Sequence, residues 1–384
     1  MKKLAIITSH PVQYNAPLFR LLTERRKIEL KVFYTWGQTK NGNVYDPDFK
    51  TTFTWDIPLL DGYEKEFLEN ISINPGAGHF KGIVNQNLIE RVQYYQPDAV
   101  MIYGWSFESH LKAIRFFSGK TKVLFRGDST LLDEPSGFSM KKIARRIFLK
   151  WVYRNISVAL YTGESNKQYF LQHGVTGSKL RYAPHAIDNS RFADDDGSLE
   201  LKAAKWRNEL DIPADTTVFL FAGKLESKKN VQFLIECFIE MKQDNTRLII
   251  TGTGVMEEEL KQLACGDKHI IFTGFCNQLM MPLVYRLGNV FVLPSQGPGE
   301  TWGLSVNEAM ASGRPVIISD RCGCAADIGH ETGGHVFKNN NKAELINIMM
   351  KFAKKEIVYK EKMIQKSIMN YSFKNIAEAI ESIV

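Results

Sequence analysis

The 384-residue sequence predicts an α/β fold built from doubly wound parallel sheets. Short apolar runs alternate with segments in which apolar residues recur at helical spacing, and this alternation is typical of parallel strands joined by helices. Such runs open both halves of the chain, at residues 4–8 and 217–223. The length suits two or three domains, and no stretch of about 18 apolar residues predicts a transmembrane helix.

The first half is predicted to hold five strands, at residues 4–8, 29–34, 99–103, 122–125 and 158–162, with helices such as 17–25 and 83–95 between them. The first strand runs into a polar loop that contains His10, Gln13 and Tyr14. Ligands of open α/β sheets lie beyond the carboxyl ends of the strands. We therefore expect these three side chains to face a ligand, although a packed, hydrogen-bonded turn is the alternative.

Arg126 and Asp128 follow the predicted strand at residues 122–125. The carboxylate of Asp128 is able to bind or orient a hydroxyl group of a ligand. Equally, Arg126 and Asp128 could form a local ion pair with no chemical role. The sequence leaves both interpretations open.

Residues 140–154 predict a basic amphipathic helix, in which apolar residues from Met140 to Val152 recur at helical spacing. We expect the apolar side to pack in the core. The cationic side is suited to the headgroups of an anionic membrane surface. The cations predicted to make that contact are Lys141, Lys142, Arg145, Arg146 and Lys150.

Charge and cysteine content indicate which partners and which cellular compartment suit the protein. Residues 1–190 carry a net charge of +9 and the remainder a net charge of −2, so the first half suits anionic surfaces. No helix-turn-helix, zinc or RNA-recognition pattern predicts nucleic-acid binding. The five cysteines are odd in number and absent before Cys237, which favours a reducing cytoplasm over a disulfide framework. The pair Cys322 and Cys324 has no second cluster to complete a metal site.

The second half opens with the apolar run 217–223, which is followed by Lys224, by Lys229 and by a helical pattern from Val231. Two cations at the end of a strand would neutralise an anionic group such as a diphosphate. Further strands are predicted at residues 248–251 and 270–273. Gly252 and Gly254 are too few to form a dinucleotide fingerprint.

A strand, a loop, a helix and a second strand are predicted over residues 291–320. The loop carries Glu300, and the helix, predicted at Leu304–Ala311, carries Glu308 eight positions later. A carboxylate accepts hydrogen bonds from two hydroxyls of a sugar or ribose, and a helix N-terminus favours a diphosphate. This stretch is the most informative part of the sequence.

That stretch resembles the E-x7-E signature of retaining glycosyltransferases of family 4, and residues 308–317 are close to the sequence that this family usually has there. Residues 9–18 resemble the opening of a bacterial subset of the family, and Lys224 and Lys229 stand where the family has Arg and Lys. The resemblance implies a GT-B fold, with two Rossmann-like domains facing a cleft. It also implies that Glu300 contacts the donor sugar, that Glu308 holds the ribose, and that backbone amides between them bind sugar and diphosphate. The family histidine after the fourth strand is replaced here by Arg126 or Asp128.

The resemblance implies an N-terminal acceptor domain at residues 1–188, a nucleotide-sugar domain at 189–370 and a helix at 371–384 that crosses back. The implied catalytic residues are Glu300, Lys229 and Lys224. The implied donor-binding residues are Gly223, Lys224, Lys229, Gly252, Phe275, Glu300, Thr301, Trp302, Gly303, Leu304, Ser305 and Glu308. The implied acceptor-binding residues are His10, Gln13, Tyr14, Arg126 and Asp128.

The expected reaction is the retaining transfer of a hexose-type sugar from a UDP- or GDP-sugar to a glycan or lipid-linked glycan of a bacterial surface polymer. It needs neither a metal nor a cofactor, and it takes place in the cytoplasm, with peripheral contact to the inner face of the membrane. The D-x-D pairs Asp46/Asp48 and Asp194/Asp196 are interpreted as solvated turns. The rival hypotheses are a non-hydrolysing sugar-nucleotide epimerase and a non-catalytic GT-B partner subunit.

Overall fold

Two parallel sheets with helices on their faces form the frame of the computed structural model of this chain. The structure describes residues 1–36, 56–134, 137, 139–194 and 196–384, together with the backbone of two short strands at Asn43–Asp46 and Thr51–Thr54. Asp48 of the first D-x-D pair lies outside the described residues, and the side chain of Asp46 is not described.

The first part of the chain contains the five predicted strands in order, together with four strands, at residues 43–46, 51–54, 64–67 and 180–182, that were not predicted. Its elements are β1 (Lys2–Thr8), α1 (Ala16–Glu24), β2 (Ile28–Tyr34), β3 (Asn43–Asp46), β4 (Thr51–Thr54), β5 (Glu64–Phe67), α2 (Leu88–Tyr95), β6 (Ala99–Tyr103), α3 (Glu108–Phe117), β7 (Lys122–Arg126), α4 (Met140–Arg154), β8 (Val158–Tyr161), α5 (Glu164–Gln172) and β9 (Leu180–Tyr182).

The remaining part repeats the alternation. Its elements are α6 (Asn189–Phe192), α7 (Ser198–Glu209), β10 (Thr217–Ala222), α8 (Val231–Met241), β11 (Thr246–Thr251), α9 (Glu257–Leu263), β12 (Ile270–Gly274), α10 (Met281–Leu287), β13 (Val290–Leu293), α11 (Leu304–Ala311), β14 (Val316–Ser319), α12 (Ala325–Ile328), β15 (Gly334–Phe337), α13 (Lys342–Ala353), α14 (Glu361–Ile368) and α15 (Phe373–Glu381).

The strand order of each sheet reverses at one position. The first sheet runs β5-β2-β1-β6-β7-β8-β9 and the second runs β12-β11-β10-β13-β14-β15. The order therefore reverses between β1 and β6 in the first sheet and between β10 and β13 in the second. In open α/β sheets the crevice at such a switch point is where ligands bind. The predicted doubly wound parallel fold is confirmed.

One predicted helix begins later than expected. Residues 83–95 were predicted to be helical, but α2 starts at Leu88. The side-chain amide of Asn85 donates to the carbonyl oxygens of Thr35, at 3.0 Å, and Glu69, at 2.7 Å, and these bonds hold the segment as a loop. Side-chain bonds of this kind compete with helical hydrogen bonding.

The chain forms two compact units. The first comprises residues 1–44, 58–185 and 373–384, and the second comprises residues 45–57 and 186–372. Within the first unit, α15 packs against α1. The Arg25 guanidinium there donates to the two carboxylate oxygens of Glu381 at 2.6 and 2.9 Å, in the fork geometry that makes such pairs strong.

Helix α4 does not pack as predicted. Its buried residues are Leu149, Val152 and Tyr153, whereas Met140 and Ile147 are exposed. The prediction that its apolar stripe lies in the core is therefore wrong for the first half of the helix, because the core contacts come from the opposite side and from its C-terminal half.

Candidate functional site

The switch point of the second sheet brings two loops together, one after β10 and one after β13. The backbone N–H of Gln296 donates to the carbonyl of Lys228 at 2.9 Å, and its side-chain amide donates to the carbonyl of Ser227 at 2.9 Å. Neighbouring parallel strands end at the same edge of the sheet, so these loops meet although 71 residues separate Lys229 from Glu300.

Glu300 is buried at this meeting point. Its carboxylate accepts a short hydrogen bond from the Lys229 ammonium, and the Ser295 hydroxyl donates to the same oxygen at 2.8 Å. Its backbone carbonyl accepts from the N–H of Gly323 at 2.9 Å. A buried carboxylate needs such partners, and these bonds fix its orientation.

Lys229 ends a turn of 3-10 helix at Ser227–Lys229. Because an ammonium group has three donors, Lys229 is able to contact Glu300 and a phosphate oxygen at the same time. Lys224 lies two residues beyond β10 and is half-buried. The structure thus brings Lys229 and Glu300 into contact and leaves the predicted phosphate contacts of both lysines as predictions.

The loop after β13 ends at the N-terminus of α11. Gly303 has φ +97°, and a β-carbon there would lie 2.9 Å from the Leu293 side chain, so glycine is required. The Trp302 side chain is buried and its indole N–H donates to Asn307 Oδ1 at 2.8 Å. Thr301, Leu304 and Ser305 are half-buried at the same N-terminus, where backbone amides have no partner within the helix.

Glu308 lies inside α11 and is buried. The Tyr285 hydroxyl, also buried, donates to Glu308 Oε2 at 2.7 Å. The two glutamates are therefore held by different partners, Glu300 by a cation and Glu308 by a phenol. The phenol orients the Glu308 carboxylate without neutralising its charge.

Two further predicted donor residues lie at the ends of β11 and β12. Gly252 has φ +130°, and a β-carbon there would lie 1.9 Å from the carbonyl oxygen of Gly223. Its N–H donates to the carbonyl of Gly274 at 2.8 Å, directly before the half-buried Phe275. These residues line the same edge of the sheet as Lys229 and Glu300.

The segment Cys322–Cys324 forms backbone hydrogen bonds with the loop that carries Glu300. Cys322 and Cys324 are buried, and burial together with the nearby Glu300 carboxylate raises the pKa of the Cys322 thiol. The Cys324 N–H donates to the Trp302 carbonyl at 3.1 Å. Their protonated thiols fill the core, and among the described residues no group of three or more His, Cys, Asp or Glu is arranged to hold a metal ion.

The Asp194/Asp196 pair was predicted to be a solvated turn, and for Asp194 that prediction is wrong. The Asp194 carboxylate is buried and accepts from the N–H groups of Leu199, at 3.0 Å, and Glu200, at 2.9 Å. It therefore caps the N-terminus of α7, where its charge is favourable.

In the first unit, the loop after β1 carries three of the predicted acceptor residues. The His10 ring packs edge-on against Trp36 with centroids 5.8 Å apart, and its Nδ1 lies 3.0 Å from the Ser9 hydroxyl. Burial lowers the pKa of His10, which favours the neutral imidazole. Gln13 buries its amide oxygen, and Tyr14 is half-buried.

Arg126 and Asp128 have separate surroundings. The buried Arg126 guanidinium donates to the carbonyls of Ala183, at 2.8 Å, and Pro184, at 3.0 Å, and burial lowers its pKa. It thereby fastens the end of the first unit to β7. The half-exposed Asp128 carboxylate lies 3.7 Å from Nε2 of His185, whose pKa is lowered by burial. A contact of either residue with an acceptor remains a prediction.

Three residues near these groups were not predicted to belong to the site. Ser295 lies two residues beyond β13, and this position near a strand end is a signal that sequence reasoning could have used. His185 lies three residues beyond β9, at the end of the first unit. Tyr285 lies in α10, 15 residues before Glu300, and no sequence pattern connects it with Glu308.

Comparison with known proteins finds a family match within the second unit. Residues 202–368 match the family described as glycosyl transferases group 1. The matched segment contains Gly223, Lys229, Glu300 and Glu308. A GDP-mannose-dependent phosphatidylinositol monomannoside mannosyltransferase of Mycobacterium tuberculosis is 28% identical over 52% of this chain and 53% of its own length. An uncharacterized glycosyltransferase of Methanocaldococcus jannaschii is 32% identical over 34% of each chain.

The chain thus spans about half or less of the length of these curated relatives. Solved structures match over the whole chain. Anabaena Alr3699/HepE in complex with UDP has a TM-score of 0.72 at 17% identity and covers 100% of this chain and 99% of its own. A Rickettsia africae glycosyltransferase has a TM-score of 0.72 at 16% identity, with 100% and 97% coverage. At these identities the likeness concerns the fold, which is the GT-B fold.

Proposed function

We propose that the chain is a retaining glycosyltransferase that moves a hexose-type sugar from a nucleotide diphosphate sugar to a glycan or lipid-linked glycan. The observation that carries the proposal is the Lys229–Glu300 contact beside the N-terminus of α11. A cation, a carboxylate and the amides of a helix N-terminus lie together there, at the switch point of the second sheet. These groups suit a phosphate, a sugar hydroxyl and a diphosphate respectively.

In the proposed reaction the acceptor hydroxyl oxygen bonds to the anomeric carbon as the bond from that carbon to the diphosphate breaks. The leaving phosphate oxygen takes the hydroxyl proton, and attack on the same face retains the configuration. Lys229 and the α11 amides stabilise the charge that develops on the diphosphate. Two carboxylates about 5 Å apart would be needed for a double displacement as in retaining hydrolases. The bond between Glu308 and Tyr285 supports a binding role for Glu308 instead.

Two rival functions predict different outcomes when the protein is incubated with the donor alone. An epimerase would convert the nucleotide sugar without an acceptor, and a non-catalytic partner would bind it without turnover. A thermal-shift screen against UDP-, GDP- and ADP-sugars, followed by NMR of the anomeric proton after incubation with acceptor extracts, separates the three. Transfer with retained anomeric configuration supports the proposal, and an epimer formed without acceptor overturns it.

The acceptor and compartment are also proposals. The mycobacterial relative's name includes a phosphatidylinositol mannoside, which supports a lipid-linked acceptor. The odd number of cysteines and their concentration in the second half support a reducing cytoplasm. UDP is the nucleotide bound in the Anabaena structure and GDP-mannose is named for the mycobacterial relative, so the screen includes both bases.

A chelator is expected to leave sugar transfer nearly unchanged. Lysine and helix amides can neutralise a diphosphate without a metal ion. The measurement is the initial transfer rate with and without EDTA after gel filtration. Loss of activity that manganese or magnesium restores would contradict metal independence and would make Asp46 and Asp48 candidate metal ligands.

Tyr285→Phe is expected to weaken binding of the bare nucleotide diphosphate about tenfold, the scale of one hydrogen bond to a charged group. The variant removes only the hydroxyl that orients the Glu308 carboxylate. Calorimetric titration with UDP and GDP measures the change. Tyr359→Phe is the matched control, because the Tyr359 hydroxyl bonds to His335 at 3.1 Å elsewhere in the second unit. Equal affinities in the two variants would contradict a positioning role for Tyr285.

A further inference from the structure

The outer face of helix α4 exposes an apolar stripe. Met140 is 72% exposed, Ile147 65% and Ile143 36%, and Ala144 is exposed beside them. At about 100° per residue these four positions lie on one side of the helix, opposite the buried Leu149 and Val152. Large apolar side chains clustered on a surface indicate an interaction site more strongly than scattered ones do.

The stripe is held in place by the packing of the rest of the helix. Phe148 packs edge-on against Trp105 with ring centroids 5.2 Å apart, and the Arg115 guanidinium of α3 lies 5.2 Å from the Trp151 ring. The C-terminal half of α4 is therefore anchored to the first unit. The first half presents its apolar side chains from a fixed element, so they cannot turn inward without unpacking the helix.

Cations surround the stripe. The helix has no acidic residue, and Lys141, Lys150 and Arg154 are exposed along it. The predicted contacts of Lys142, Arg145 and Arg146 need correction, because these residues lie on the other side of the helix. Lys142 is half-buried and its ammonium lies 3.5 Å from the Glu134 carboxylate, the Arg145 guanidinium donates to the Tyr169 hydroxyl at 3.2 Å, and Arg146 is half-buried. The exposed cations flank the apolar residues, and this is the arrangement of helices that lie in the headgroup region of a bilayer.

We propose that α4 docks the first unit on an anionic lipid bilayer. Met140, Ile143 and Ile147 enter the boundary between headgroups and acyl chains, while Lys141 and Lys150 contact lipid phosphates. The proposal extends the proposed transfer to a lipid-linked acceptor, because docking would bring the chain to that acceptor, but the docking itself does not depend on transfer.

The charge of α4 favours a bilayer over a second copy of the chain or a nucleic acid as the partner of this face. A second copy of this face would bring Lys and Arg against Lys and Arg, since the helix offers no carboxylate to pair with them. A polyanion such as nucleic acid would match the cations but would leave the isoleucines in water. No helix among the described residues is long and apolar enough to cross a membrane, so the proposed contact lies at the surface.

The test is flotation of the full chain with vesicles of phosphatidylcholine alone or of phosphatidylcholine mixed with phosphatidylglycerol. We expect binding to the mixed vesicles only, weakened by salt. The double variant Ile143→Ser/Ile147→Ser is expected to lose about tenfold or more in partition coefficient. Lys141→Gln/Lys150→Gln is expected to weaken binding and flatten its salt dependence. Leu201→Ser, at a residue 75% exposed on α7 of the second unit, is the matched control and should bind as the unchanged chain does.

Insertion is tested separately with Ile147→Trp, whose added emission should shift to the blue and be quenched by brominated acyl chains. Failure of the unchanged chain to float with anionic vesicles would overturn the proposal, as would equal binding by the Ile143→Ser/Ile147→Ser variant. Concentration-dependent dimerisation that this variant abolishes would assign the face to a second copy instead. None of these measurements needs donor or acceptor, so their failure is distinguishable from a failure of sugar transfer.

Discussion

Lys229→Ala is expected to reduce sugar transfer and donor hydrolysis together by about two orders of magnitude, the scale of losing one preorganised electrostatic contact. The side chain lies against Glu300 at the end of β10, where the proposed reaction develops charge on the diphosphate. Initial rates of transfer and of hydrolysis without acceptor measure the effect. Lys228→Ala is the matched control, because that neighbouring lysine pairs with Glu226 at 3.2 Å and its loss should change the rates little.

The same substitution also tests stability, because it leaves the buried Glu300 carboxylate without its cation. Removing one partner of a buried ion pair costs about 3–5 kcal/mol, which urea denaturation would detect. The double variant Lys229→Ala/Glu300→Gln removes the unpaired charge, so most of the lost free energy of unfolding should return while transfer stays low. If transfer recovered with stability, Lys229 would be only a structural partner of Glu300.

Glu300→Gln is expected to lower the rate of sugar transfer, whereas Glu308→Gln is expected to lower the affinity for the nucleotide. Glu300 lies beside Lys229 in the loop before α11, so its loss should lower kcat by about two to three orders of magnitude while UDP or GDP binding stays near that of the unchanged chain. Glu308 is proposed to hold the ribose, which the bare nucleotide also carries. Its loss should weaken nucleotide binding about tenfold.

Calorimetry with the nucleotide diphosphate and steady-state kinetics with the nucleotide sugar measure the two effects. Glu236→Gln, on the outer side of α8 with Lys342 3.6 Å away, controls for loss of a carboxylate in the same unit. The hypothesis is wrong if Glu300→Gln loses nucleotide affinity while Glu308→Gln keeps it. Normal transfer by both folded variants would make the residue 291–320 stretch structural.

The parallel strands were predictable because burial on both faces of a sheet requires continuous apolar runs. The runs 99–103 and 217–222 illustrate this, since the observed strands agree with the predictions within one residue. The helix predicted at residues 83–95 was less accurate. The side-chain amide of Asn85 donates hydrogen bonds to carbonyl oxygens that are distant in sequence, and these bonds hold residues 83–87 out of the helix. Such bonds produce no periodic pattern in the sequence.

The predicted donor residues came from local signals, namely two lysines after a strand and two glutamates around a helix start. What the sequence did not provide was their partners. Ser295 and Lys229 both reach Glu300, and Tyr285 reaches Glu308, because strand order places β10 beside β13 and α10 beside α11. The separation of two residues in the sequence does not reveal whether their side chains are in contact.

The sequence by itself determined the fold class, the loops that end at the strand edges and the residue types suited to a nucleotide sugar. Each of these depends on local spacing, which residues a few positions apart express directly. Only the tertiary structure decided that the buried Glu300 carboxylate is paired with Lys229, that Asp194 caps a helix, and that α4 turns its apolar stripe to solvent. Helical periodicity shows that a helix has two faces, but the neighbours that cover one of them come from distant parts of the chain.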